Sequence, residues 1–325
     1  MAIPTGRVWP AKTKRDRTHV YTSTPKPYTP MFKIIVPVDF EDSTYNACHY
    51  ALRLAAAAPP AEILLLHCFR DYLTDPWELP LGETQAQTTA SEKITERVLH
   101  RNEDDERAKL DELRQELQES LTDSQQVQLS TAFVNGLPEE VIPVEARRLQ
   151  TDLIVMGTEG DDSLSRSVFG TITTKMAKEA RVPVLSVPAH ARERNLTRIL
   201  YATDFDAADA QAIADLHQFL APFSPQILCL HITKEQATAQ DQQKMADLEA
   251  ALKRLVPTGN IRYKLLESPD VADALEDFVA KEQVDLLAAT NRKRSFLDSL
   301  LHPSLTKKLV LESEVPLLIF HGRDA

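Results

Sequence analysis

The sequence predicts an α/β protein built from two tandem, doubly wound, five-stranded parallel-sheet domains. Three observations carry that expectation: an internal repeat of domain length, short apolar runs that alternate with longer helical patterns, and a glycine-bearing segment between one such run and the next helix. The repeat decides the architecture. Lys33-Ile34-Ile35-Val36-Pro37-Val38-Asp39-Phe40 matches Arg198-Ile199-Leu200-Tyr201-Ala202-Thr203-Asp204-Phe205, and Ile63 to His67 matches Ile227 to His231. Asp152 to Met156 matches Asp285 to Ala289, and Val182 to Leu185 matches Val315 to Leu318, both at an offset of 133 residues. A period that long is a domain and not a solenoid unit.

Continuous apolar runs bounded by polar residues read as strands buried on both faces of a parallel sheet. In the first copy they predict strands near 32–38, 62–68, 126–133, 152–157 and 183–187. Between them, the alanine-rich run from Ser43 to Ala58 reads as a helix with Ser43 as its N-cap candidate. Leu137 to Leu149 carries Pro138 in its first turn, a position where a missing N–H does no harm. Thr171 to Ala180 is the last helix. The second copy repeats the order near 198–203, 226–231, 261–266, 284–289 and 315–320. The expected domains are 31–190, with an insertion at 70–125, and 196–321. Residues 1–30 read as a flexible, basic, proline-rich leader. Within the insertion, Leu110, Leu113, Leu117 and Leu121 form a helical stripe that either packs on its own sheet or binds a partner, while Arg101 to Lys109 reads as a solvated charge run.

Composition narrows the function. With 43% hydrophobic and 26% charged residues the 325-residue chain is an ordinary globular protein, and no apolar run is long enough for a membrane helix. The net charge is −11, although residues 1–30 hold six basic residues against one acid, so the rest is more acidic still. Such a body repels a phosphate backbone, which argues against nucleic acid as a partner. Cys48, Cys68 and Cys229 are odd in number and lie in apolar stretches, as expected of buried thiols in a reducing cytoplasm. The neighbours His67 and Cys68 point to opposite sides of a strand and cannot easily share an ion, so no metal site is expected. Walker, dinucleotide, zinc-protease and nucleophile-elbow motifs are all missing, and no catalytic residues can be assigned from spacing.

Only eight glycines occur, and three of them are Gly157, Gly160 and Gly170. They follow a predicted buried strand and precede a helix, where backbone N–H groups and a helix N-terminus suit an anion. A tight turn followed by a helix cap would use the same residues. The pattern Gly-x-x-Gly-x9-Gly-(Ser/Thr), with Pro-x-Asp ending the first strand and His ending the second, resembles the universal stress proteins of tandem two-domain type, over residues 31 to about 321. The resemblance implies a Rossmann-like fold of the adenine nucleotide alpha hydrolase type, with ATP bound in the first copy and occupancy used as a signal. It implies Asp39 at the ribose or adenine, and Pro37, Val38 and the backbone of Cys68 around the base. Met156 and Gly157 would approach ribose and phosphate, and Gly160, Gly170, Thr171 and Ile172 would donate to the phosphates. Glu159, Asp161 and Asp162 depart from the family's loop; Mg²⁺ bridging them or compensation by Arg166 would accommodate a triphosphate.

In the second copy the same positions hold Thr290, Lys293, Pro303 and Ser304, so every glycine is gone and Pro303 lacks an N–H. That copy reads as a structural partner, with Arg292-Lys293-Arg294 as a minor anion candidate. Two other readings stay open. One is a nucleotide-free interaction scaffold, an intramolecular pseudo-dimer joined through Val184–Val187 and Leu317–Phe320, with the helix at 90–121 as partner surface; the other is a slow ATPase. A further homodimer of the tandem chain is compatible with all three.

Overall fold

A computed structural model describes residues 31–69, 90–122, 125–158, 171–189, 191, 195–291 and 315–321, and only the backbone of 90–102, 171, 272 and 321. The first half runs β1 (Phe32–Val38), α1 (Asp42–Ala57), β2 (Ala61–Phe69), α2 (Ala90–Glu119), β3 (Val127–Asn135), α3 (Pro138–Leu149), β4 (Leu153–Gly157), α4 (Thr171–Glu179) and β5 (Val184–Val187). The second runs β6 (Arg198–Ala202), α5 (Asp209–Phe219), β7 (Gln226–Thr233), α6 (Ala239–Leu255), β8 (Asn260–Glu267), α7 (Val271–Glu282), β9 (Leu286–Asn291) and β10 (Leu317–His321). The ten strands form one sheet in the order β3-β2-β1-β4-β5-β10-β9-β6-β7-β8. Within each half every pair is parallel, as βαβ crossovers require. The halves meet through one antiparallel pair, with Val184 opposite Ile319, Leu185 opposite Leu318 and Ser186 opposite Leu317.

That pairing covers two strands which would otherwise be exposed, largely apolar edges. The central strands are buried on both faces, whereas the outer strands β3 and β8 alternate or stay half-exposed. One face of the sheet carries α1, α2, α5 and α6 over a core continuous across both halves, where Phe32 meets Phe219 at 5.3 Å between ring centroids. The other face carries α3 and α4 in the first half and α7 in the second. Asn291, at the end of β9, donates to the carbonyls of Ala177 and Lys178 at the end of α4, which adds a polar tie between the halves.

Several expectations change in detail. Ser43 is not the cap of α1: the N-cap is Glu41, no side chain caps the helix, and Ser43 is buried within its first turn. Pro138 does stand at the start of α3. The stretch expected as an insertion contains α2, which makes the β2-to-β3 crossover as α6 does in the second half, with 30 residues against 17. Leu110, Leu113 and Leu117 on α2 are buried in the chain's own core, and Leu121 packs against it. The leader at 1–30, the part of the insertion at 70–89 and the expected last crossover helix of the second half lie outside the described residues. Among the described residues no helix is long and apolar enough to cross a membrane.

The seam generates a test. Ser186 is fully buried and its hydroxyl has no hydrogen-bond partner among the described residues, whereas Leu318 is packed apolar core. Denaturant titration should find Ser186→Ala unchanged or up to about 1 kcal/mol more stable, because an orphaned hydroxyl is removed. Leu318→Ala should lose about 2–5 kcal/mol.

Candidate functional site

The strand order reverses at β1: β2 and β3 lie to one side, β4 and β5 to the other. In open α/β sheets the crevice beyond the carboxyl ends at such a point is where ligands bind. β1 and β4 pair in register from Ile34 opposite Leu153, which carries Val38 to the level of Gly157. Asp39, one residue past β1, is exposed. Its Oδ1 accepts from the Glu41 amide at 3.1 Å and from the Thr44 hydroxyl, so the carboxylate organises the turn into α1 through one oxygen. Phe40 then takes a left-handed φ of 65°, a conformation costly for a bulky residue. Its ring is held against His67 at 4.8 Å, and His67 Nδ1 bonds the Val38 carbonyl at 2.7 Å.

The remaining candidate residues divide between backbone and core. Pro37 is half-buried; the Val38 side chain lies in the core, and its carbonyl is already used by His67. Cys68 is half-buried on β2, and burial, with Glu145 nearby, pushes its thiol up to about 11, so it stays neutral. Burial likewise pushes Cys48 up to about 12. Met156 is buried against the α3 and α4 face, which leaves its backbone as the part able to meet a ligand. Gly157 ends β4, and its carbonyl accepts from Thr173 at 3.2 Å. A Cβ on Gly157 would lie 2.6 Å from Ser43 Oγ and 2.7 and 2.8 Å from the carbonyl carbon and oxygen of Ser43. The glycine therefore admits the first turn of α1 close to β4, a packing requirement that stands whether or not a ligand binds. Thr171 and Ile172 open α4, where helix geometry leaves their amides without intrahelical acceptors; the Ile172 side chain packs on the core. Gly160 and Gly170, with Glu159, Asp161, Asp162 and Arg166 between them, lie outside the described residues.

Sequence reasoning missed a feature beside this crevice. Phe40, His67, Phe133 and Phe69 form a ladder with centroid spacings of 4.8, 5.1 and 4.4 Å. Helix α2 lies along it: the Arg107 guanidinium sits 4.1 Å from the Phe133 ring centroid, Glu106 Oε2 is 3.4 Å from His67 Nε2, and Lys109 reaches over Phe40. Arg107 and Lys109 stay exposed, as expected of a solvated run from Arg101 to Lys109, while Glu106 is half-buried and the three side chains line the ladder's outer side. The signal was available: Glu103, Glu106 and Arg107 extend the three- and four-residue steps of the leucine stripe toward the helix N-terminus, so they share its inward face.

At the same level the second half is filled by its own side chains. Thr290 stands in the place of Gly157, and its hydroxyl bonds the Tyr201 hydroxyl, which also donates to Asp209 Oδ1 at 2.8 Å. Asp209 Oδ2 accepts from the Thr203 hydroxyl at 2.5 Å and the Asp206 amide at 3.0 Å. Burial pushes the Asp209 carboxyl upward, opposed by those hydrogen bonds. α5 accordingly begins two repeat positions later than α1. Asp204 is exposed as Asp39 is, but the cavity beside it measures about 20 Å³, room for one water. Thr290 aside, the second copy's replacement positions Lys293, Pro303 and Ser304, and the basic run at 292–294, lie outside the described residues. Among the described residues no three metal-ligating side chains gather.

Comparison with known proteins agrees with this architecture. The model of the universal stress protein family matches residues 31–188 and again 195–321. The chain belongs to that family. A universal stress protein of Methanocaldococcus jannaschii is 36% identical over 67 residues, 21% of this chain and 39% of that protein, so the match spans well under half of the relative's length. A second from the same organism is 24% identical over 158 residues, 48% of this chain and 93% of the relative. The crystal structure of a universal stress protein from Archaeoglobus fulgidus superimposes with a TM-score of 0.64 at 15% identity, covering 90% of this chain and 98% of that one, a likeness of fold. For a universal stress protein of this tandem form, the Gly157 contact predicts that Gly157→Ala destabilises by about 1–3 kcal/mol in equilibrium unfolding, since the obstructing atoms include backbone.

Proposed function

We propose that this chain binds ATP in its first half, across the carboxyl ends of β1 and β4, and that occupancy acts as a regulatory signal. The asymmetry of the two crevices carries the reading. Both keep an exposed aspartate, Asp39 and Asp204, but one keeps Gly157 at the end of β4 whereas the other has Thr290 there, tied into the Tyr201, Thr203 and Asp209 network. The donor set suits an adenine nucleotide. Asp39 uses Oδ1 for its two bonds, which leaves Oδ2 to accept from ribose hydroxyls. The amides of Thr171 and Ile172 at the start of α4 meet phosphate charge with the positive end of a helix. Pro37, Val38 and the Cys68 backbone would border the base, Met156 and Gly157 the sugar, and Gly160 and Gly170 the phosphates, with Mg²⁺ offsetting the acids of the loop. Bound ATP supplies triphosphate charge and a base for recognition; the reading assigns no turnover. Three separate thiols are in keeping with a reducing cytoplasm.

The nucleotide-free scaffold is less favoured because the leucine stripe of α2 is spent on the chain's own core. Calorimetry and thermal denaturation with Mg-ATP test the choice. At a hundredfold excess over Kd, ATP should stabilise the protein by about 2.7 kcal/mol. Asp39→Asn, which retains the acceptor for Glu41 and Thr44, should weaken binding about tenfold or more, because hydrogen bonds to a charged acceptor are lost. No heat and no shift with the wild type, or equal affinity in the variant, would overturn the reading.

A further inference from the structure

At the opposite end of the second half's sheet, a cavity of about 240 Å³ opens between the first residues of β6, β7 and β8 and the last turn of α7. Its rim holds Arg198, Arg262 and Lys281 against the single acid Glu282, with Gln226 and Leu228 between them. Ile199 and Val284 make its buried floor. Three cations around one cleft stand out in a chain of net charge −11. We propose that this cleft is a binding site for a compact phosphate-bearing anion of the pyrophosphate type, separate from the crevice at the strands' carboxyl ends.

The repeat supplies a built-in comparison. The ladders pair Lys33 with Glu62 and Arg198 with Gln226, and likewise Leu64 with Ser130 and Leu228 with Arg262. α3 and α7 end alike, on left-handed Gln150 and Gln283, which sets Arg148 against Lys281 and Glu145 against Phe278. In the first half Arg148 is tied to Glu145 at 2.6 Å, Glu62 stands beside Lys33 and Ser130 is neutral. In the second half both acids are replaced, by Gln226 and by the buried Phe278, and Ser130 by Arg262; among the residues that line the cleft, Glu282 in place of Leu149 is the one acid added. The replacements of Glu62 by Gln226 and of Ser130 by Arg262 raise the positive charge among the residues that line the cleft, and the loss of Glu145 leaves Lys281 without the partner that Arg148 has.

The side chains are also available. Arg262 and Lys281 are exposed and have no carboxylate within ion-pair distance among the described residues. Arg198 gives one N–H to the Glu282 carbonyl at 3.2 Å, which anchors the guanidinium at the end of α7 and leaves its other donors free to turn outward. The nearby Asp285 carboxylate is buried and accepts from the Thr197 amide and hydroxyl and the Arg198 amide through Oδ2. Like charges gathered round one cleft repel, and an oxyanion relieves that repulsion while matching the planar donor fork of arginine. The volume falls below the usual range for drug-sized ligands, so the cleft suits a phosphate or diphosphate group and not a whole nucleotide.

Titration of the full chain with inorganic pyrophosphate, followed by calorimetry and phosphorus NMR, tests the site, with circular dichroism to verify folding. Arg262→Ser, which restores the first half's residue, and Lys281→Ala should each weaken binding about tenfold and lessen its salt dependence. Asp39→Asn should bind pyrophosphate as the wild type does, and Arg262→Ser should leave any heat from Mg-ATP unaltered. Absence of wild-type binding at millimolar pyrophosphate, equal affinity in both cleft variants, or loss in Asp39→Asn alone would overturn the proposal.

Discussion

The antiparallel pairing of β5 with β10 is the interaction on which the rest of this molecule depends. Each half ends its sheet on a short, largely apolar strand, and an unpaired edge of that kind leaves backbone donors and acceptors unsatisfied beside hydrophobic side chains. Joining the edges makes one ten-stranded sheet and lets a single core run under α1, α2, α5 and α6. The orphan hydroxyl of Ser186 sits in that seam, so the joint is held by backbone hydrogen bonds and apolar packing.

Because the halves share a scaffold, their differences can be read as chemistry. Both keep a histidine Nδ1 bonded to a carbonyl at the end of the neighbouring strand, His67 to Val38 and His231 to Thr203. Both place a phenylalanine in the left-handed region, Phe40 and Phe205, with its ring against that histidine. Asp152 and Asp285 each accept from an amide at the start of the adjacent strand, that of Lys33 and that of Arg198. These devices hold the turns and strand starts. The divergence lies around them: Val36, Val38, Thr44 and Gly157 become Tyr201, Thr203, Asp209 and Thr290, and apolar packing with a close approach of α1 to β4 becomes a buried polar network. A fully satisfied network of that kind stiffens what it fills.

The strands were legible to within a few residues because a parallel strand buried on both faces must be apolar throughout, a demand the chain writes openly. The cap of α1 was misread, since Ser43 is pulled inward by its contact with Gly157, a neighbour far along the chain. At the candidate site, Asp39 and the glycines were legible from their spacing. That Val38 and Met156 offer only backbone was not, because their side chains face cores whose other walls come from distant helices. The approach of Glu106 and Arg107 to the aromatic ladder was half-written in the helical steps, and only the position of α2 over β2 and β3 made it a contact.

Period, polarity and repeat thus determined the layers, the crossovers and the location of the crevice, because local pattern and buried area are properties of the chain itself. Tertiary structure decided which glycine is a packing necessity, which charges are neutralised and which are left to converge at the base of β6, β7 and β8. Those outcomes depend on distances between residues remote in sequence. The basic residue near the end of the helix is an ion pair in one half, Arg148 with Glu145, and a rim charge without one in the other, Lys281, according to what the fold brings beside it.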